Sequence, residues 1–137
     1  MGGQKRVLFL CTGNSCRSQM AEGWARHLRS DDIEACSAGT EPGGLNPMAV
    51  RVMEEAGVDI SGHRSRHIDE FTGISLDLVV TVCGSAHESC PVFSGSTRVV
   101  HQGFDDPPHL ARGLSDGDAL EIYRRVRDEI REFVRTL

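Results

Sequence analysis

The chain has 137 residues, 39% hydrophobic and 26% charged, with a net charge of −5 and five cysteines. That length suits one domain spanning residues 1–137, long enough to bury a core without metals or disulfides. The acidic balance argues against a nucleic-acid or membrane-surface role, which needs a basic face, and no apolar run approaches the roughly 18 residues of a membrane span. The start, MGGQKR, carries no apolar leader core. The expected location is therefore the cytoplasm. There, an odd set of cysteines (Cys11, Cys16, Cys36, Cys83, Cys90) reads as buried, catalytic or metal-binding rather than as a disulfide framework.

In chain order, RVLFLC (6–11) is a short apolar run and predicts a buried strand. From Ser18 the period changes: Met20, Trp24 and Leu28 form one apolar face of a helix reaching about Arg29. IEACSAG (33–39) predicts a second strand, followed by a glycine-rich loop. Asn46 is a helix cap with Pro47 at the first helical position and Gly57 just past the end. Residues 59–71 form a polar connector with one helical turn. LDLVVTVC (76–83) is the strongest buried-strand pattern, and TRVVH (97–101) a weaker one. From Ser115, Leu120, Tyr123, Val126, Ile130, Phe133 or Val134, and Leu137 recur at helical spacing to the C-terminus. The order β-α-β-α-β-β-α predicts an α/β fold, a parallel four-stranded sheet with helices on both faces. In such sheets ligands bind beyond the carboxyl ends of the strands. Cys11, Cys83 and the segment after His101 all follow strands, and so are expected at one edge.

FLCTGNSCRSQMAEGW (9–24) places a cysteine, a glycine-containing turn, an arginine and a serine between a strand and a helix. Such a turn points successive backbone N–H groups at one spot, and the helix dipole adds to their field. Thr12, Gly13, Asn14, Ser15, Cys16 and Arg17 are the candidate oxyanion cradle, with Arg17 supplying a planar fork of donors. Cys11 sits at its mouth, where the positive field is expected to lower its pKa and hold it as a thiolate nucleophile. Ser18 is expected to give that thiolate a hydrogen bond.

The run CTGNSCRS resembles the phosphate-binding loop of low-molecular-weight protein tyrosine phosphatases. CTGNSCRSQMAEGW is more similar still to the thioredoxin-coupled arsenate reductases of that fold. The likeness continues in order through SAG (37–39), NP (46–47), SLDLVVTVC (75–83), CP (90–91), GFDDP (103–107) and RVRDEI (125–130). The resemblance implies arsenic detoxification by a relay. Cys11 attacks arsenate, Asp106 protonates the departing oxygen, Cys83 attacks Cys11 to release arsenite, and Cys90 draws the disulfide onto Cys83–Cys90. Thioredoxin then reduces that bond. Phosphate or sulfate is expected to occupy the same loop, with no metal and no bound cofactor, in a monomer. Asn14 and Ser37 match loop-supporting positions. Some relatives bind a potassium ion near them through a carboxylate, where this chain has Arg66.

A phosphatase needs one cysteine, because hydrolysis returns the thiolate unchanged; it leaves Cys83 and Cys90 without a purpose. The phosphomonoester hydrolase is the alternative reading, and a thiol-based arsenite or metal sensor is a third that leaves the cradle unexplained. Cys83, His87 and Cys90 are too widely spaced for an ordinary zinc site; inert core thiols are the remaining reading of the pair. If residues 83–90 are helical, the two cysteines stand about 10 Å apart along the axis. A disulfide needs Cα atoms within about 7 Å. Oxidation would then unwind the segment between Gly84 and Pro91 and turn the disulfide outward.

Overall fold

The computed structural model describes residues 4–83 and 97–137. Four strands, β1 (Lys5–Cys11), β2 (Ile33–Gly39), β3 (Leu78–Thr81) and β4 (Arg98–His101), form one sheet in the order β2-β1-β3-β4. Every pairing is parallel. The helices are α1 (Arg17–Leu28), α2 (Pro47–Glu55), α3 (Pro107–Leu110) and α4 (Asp116–Arg135), with a 3-10 turn at Ile68–Phe71.

The register brings Cys11 level with Gly39, and Leu10 level with Thr81. Beyond β3 the ladder runs on: Val82 N–H donates to Leu10 O (2.9 Å) and Phe104 N–H to Val82 O (3.2 Å). Parallel strands therefore deliver Cys11, Cys83 and the segment after His101 to one edge, as the sequence pattern predicts. β3 is shorter than the apolar run 76–83. At its leading end, side chains join the backbone bonds: Asp77 N–H donates to Arg6 O (2.9 Å) while Asp77 Oδ2 accepts from Arg6 N–H (2.7 Å), and Thr97 Oγ1 donates to Leu76 O (2.6 Å).

β1 and β3 read as continuous apolar runs because both are central: Val7, Leu8, Phe9, Leu10, Val79 and Val80 are fully buried. α1 lies on β1 and β2, while α2 and α4 pack on α1 and on each other. α1 is buried well beyond its predicted stripe, since Ser18, Gln19 and Glu22 are buried along with Met20 and Trp24. α4 buries Leu120, Tyr123, Val126, Ile130 and Val134. Phe133 packs edge-on against Phe104 (centroids 5.9 Å apart). The four-residue α3 falls in DDPPHL, which reads as a turn in the sequence. It has no room for a hydrophobic period, and its only local sign is Pro107 at the first helical position. Among the described residues, no helix is long and apolar enough to cross a membrane.

Asn46 ties this frame to the loop after β1. Its Oδ1 accepts from Met48 N–H (2.8 Å) and Ala49 N–H (3.1 Å), capping α2. Its Nδ2 donates to the Tyr123 hydroxyl (3.1 Å), and its backbone N–H to Ser15 O (3.0 Å). Asn46→Ala is expected to cost about 1–2 kcal/mol. The check is a urea titration in which the midpoint falls at unchanged slope.

Candidate active site

The loop from Cys11 to Ser18 is curled by one residue. Asn14 is fully buried at φ 46°, the left-handed region that asparagine tolerates better than most side chains. Its Nδ2 donates to Ser18 Oγ and Ser37 Oγ (both 2.9 Å). Its Oδ1 accepts from Arg66 N–H (2.8 Å) and Gln19 Nε2 (3.1 Å), and its carbonyl from Ser65 Oγ (2.7 Å). Behind these, Ser37 Oγ donates to Glu22 Oε1 (2.6 Å). His63 Nδ1 lies 3.0 Å from Gln19 Oε1, which can only accept, so the proton is on Nδ1. Burial lowers the His63 pKa and favours the neutral ring. Asn14 and Ser37 are thus joined as their sequence positions suggest. Gln19, Glu22, His63 and Ser65 complete the network and were not singled out. The visible sign was two polar residues, Gln19 and Glu22, beside the apolar positions of α1.

The remaining loop carbonyls are turned outward. Thr12 O accepts from Glu41 N–H (2.8 Å), Gly13 O from Gly43 N–H (2.9 Å) and Ser15 O from Asn46 N–H (3.0 Å). The backbone N–H groups of Gly13, Asn14, Ser15 and Cys16 donate to no group among the described residues. Cys16 opens α1 without a side-chain cap, and the first turn holds no acidic residue. Outward carbonyls, unspent amides and a helix N-terminus make a cradle for an anion. Gly39 lets β2 approach it, because a Cβ there would stand 2.4 Å from Thr12 O.

Arg17 is mostly buried, and its Nε is enclosed with no hydrogen-bond partner among the described residues. Its Nη1 donates to Phe104 O (3.0 Å), and its Nη2 lies 3.5 Å from Asp106 Oδ1. Asp106 is half-exposed and stands just before Pro107. Asp105 accepts instead from Arg125 Nη2 (3.0 Å).

Cys11 and Cys83 are both buried, at 4% exposure, and neither is in a disulfide. Their thiols lie close together, and Cys83 Sγ is 3.3 Å from Thr12 Oγ1. This contact changes the expected electrostatics. The bond to Cys83 and burial push the Cys11 thiol above the ordinary cysteine range, against the downward pull of Arg17 and the Thr12 N–H. The expectation that the cradle's field holds Cys11 as a thiolate fails in this arrangement, because the neighbouring sulfur and the loss of water outweigh it. Ser18 Oγ accepts from Asn14 Nδ2 (2.9 Å), which leaves its hydroxyl proton to donate. Cys16 is buried, and burial pushes its thiol up to about 12. Cys36 is only half-buried, not the core residue its strand position suggests. Arg66 reaches Asn14 with its backbone N–H and sends its side chain to a groove beside β2. Cys90, His87, Gly84 and Pro91 lie outside the described residues, so the metal reading and the unwinding geometry do so too.

Removing the Cys83 thiol deletes the largest upward influence on Cys11 and leaves the downward ones. In Cys83→Ala, the pH at which Cys11 becomes reactive should therefore fall. Iodoacetamide labelling against pH, followed by mass spectrometry of the Cys11 peptide, reads this directly.

The chain is 48% identical to the arsenate reductase of Halalkalibacterium halodurans over 97% of its length and 94% of that protein. It superposes on the solved structure of an arsenate reductase in the phosphate-binding state with a TM-score of 0.75, at 36% identity, covering 97% of this chain and 95% of that one. It also superposes on a Corynebacterium glutamicum thioredoxin-dependent arsenate reductase with a TM-score of 0.71, at 25% identity, covering 98% of this chain and 62% of that one. Residues 6–137 match the family of low molecular weight phosphotyrosine protein phosphatases. With a cysteine–arginine oxyanion loop at the carboxyl edge of a four-stranded parallel sheet, the chain belongs to that family.

Proposed function

We propose that this protein is an arsenate reductase of the cytoplasm that works through a cysteine relay recycled by thioredoxin. One observation carries the choice of reduction over hydrolysis: a second thiol, Cys83, in contact with the nucleophile Cys11. Hydrolysis has no use for it, whereas reduction of arsenic(V) needs two electrons from a thiol pair. The relatives named arsenate reductases support the substrate, and the thioredoxin-dependent one supports the donor.

In this reading the cradle amides and Arg17 bind the tetrahedral oxyanion, which also draws the Cys11 proton off before attack. The Cys11 sulfur bonds to arsenic, and one oxygen leaves as water with a proton from Asp106. Ser18 keeps its own hydroxyl proton to offer the sulfur, because its oxygen is already the acceptor for Asn14. Cys83 then attacks Cys11: an S–S bond forms, the S–As bond breaks, and its electron pair stays on arsenic, which departs as arsenite. Cys90 attacks Cys83, returning Cys11 as a thiolate. A thioredoxin dithiol reduces the Cys83–Cys90 bond and leaves oxidised.

The deciding experiment couples the reduced protein to thioredoxin, thioredoxin reductase and NADPH, and starts the reaction with arsenate. NADPH consumption should need every component and fall to background in Cys83→Ser. The same variant should still hydrolyse p-nitrophenyl phosphate, because that reaction needs the cradle, Cys11 and Asp106 but not Cys83. Absence of arsenate-dependent consumption, with p-nitrophenyl phosphate turned over, would make the protein a phosphatase. Asp106→Asn should lower kcat about 10²–10⁴-fold in the reductase assay, the range general acids usually contribute.

A further inference from the structure

A groove of about 610 Å³ runs along β2, lined from Ile33 to Cys36, within the size range of organic ligand sites. Its apolar lining comes from Ile33, Ala35, Cys36, Phe71 and Ile74. Around it stand Arg6, Arg26 and Arg66, with Glu34 as the one carboxylate in the lining. In a chain of net charge −5, this is a local reversal of sign.

Two of the arginines are already engaged. Arg6 bonds Glu34 (3.1 Å) and Ser75 O (3.2 Å). Arg26 bonds Glu22 (2.8 Å) and Ala35 O (3.1 Å). Arg66 differs. All its hydrogen bonds among the described residues are made by its backbone, and its half-buried guanidinium has no ion pair there. An unspent planar fork beside an apolar trough matches a carboxylate joined to an apolar body. The fork meets both oxygens, and the body displaces water from Phe71 and Ile74. We propose that this groove binds a small amphipathic organic anion, a carboxylate on an aromatic or branched aliphatic body, with Arg66 holding the carboxylate.

The groove also touches the machinery of the loop. The same Arg66 whose side chain lines it donates its N–H to Asn14 Oδ1 (2.8 Å) and accepts from Gly39 N–H at its carbonyl (2.8 Å). A ligand here sits one residue's backbone away from the two positions that shape the cradle.

The test uses the full reduced chain with saturating phosphate, so that the oxyanion loop is filled, and 4-(trifluoromethyl)benzoate as the probe, read by fluorine NMR. A saturable shift of the probe signal is expected. Arg66→Gln should weaken binding about tenfold or more, the usual effect of losing a hydrogen bond to a charged group. The neutral 4-(trifluoromethyl)benzamide should bind the unaltered protein weaker by a similar factor, which decides the matter without any variant. No saturable shift, binding abolished by phosphate, equal binding of the amide, or binding unchanged in folded Arg66→Gln would each overturn the proposal. None of these readouts depends on arsenate turnover.

Discussion

The whole site depends on one buried asparagine held in a left-handed backbone. That conformation costs Asn14 about 1–2 kcal/mol relative to an ordinary one. It persists because both hydrogens of its amide and both acceptor sites of Oδ1 are used inside the protein. Each buried bond contributes about 1 kcal/mol net, and each would cost more than that if left unmade. Turning Asn14 in this way directs the loop's carbonyls outward to residues 41–46 and leaves its amides pointing at one place. The cradle is therefore a consequence of the network behind it, which draws on α1, β2 and the connector before the 3-10 turn.

The same edge of the sheet collects the other parts. Arg17 joins cradle and acid loop, since its guanidinium holds Phe104 O and lies beside Asp106. The acid loop is held from its other side by Arg125 on Asp105 and by Phe133 on Phe104. These contacts come from α4, far along the chain. They place Asp106 over the loop although its own local sequence is a prolyl turn.

In the proposed reading, cradle, Arg17 and Asp106 would serve a phosphatase equally well, since hydrolysis leaves its nucleophile unchanged. The thiol pair adds a different capacity. A neighbouring sulfur raises the Cys11 thiol above its usual range while the cradle pulls it down. Reactivity is thus tied to what fills the cradle and to the state of Cys83.

Much of this was legible in the residues. Apolar runs located the strands, period-four stripes located α1 and α4, and the Asn46–Pro47 cap located the start of α2 with one residue's accuracy. The spacing of Cys11, Arg17 and Ser18 announced the cradle, because short-range geometry alone builds a turn between a strand and a helix. What the sequence could not decide was every feature that needs residues distant in the chain. The height of the Cys11 pKa depends on Cys83, 72 positions away. The partner of Ser18 is decided by Asn14, whose orientation is decided by Ser37 and Arg66. The fate of the Arg66 side chain depends on the groove that β2 makes with Phe71 and Ile74. Local pattern determines which groups are present and on which element. Only the packed sheet and helices determine which of them exclude water from one another, and that exclusion sets hydrogen-bond choice and proton affinity.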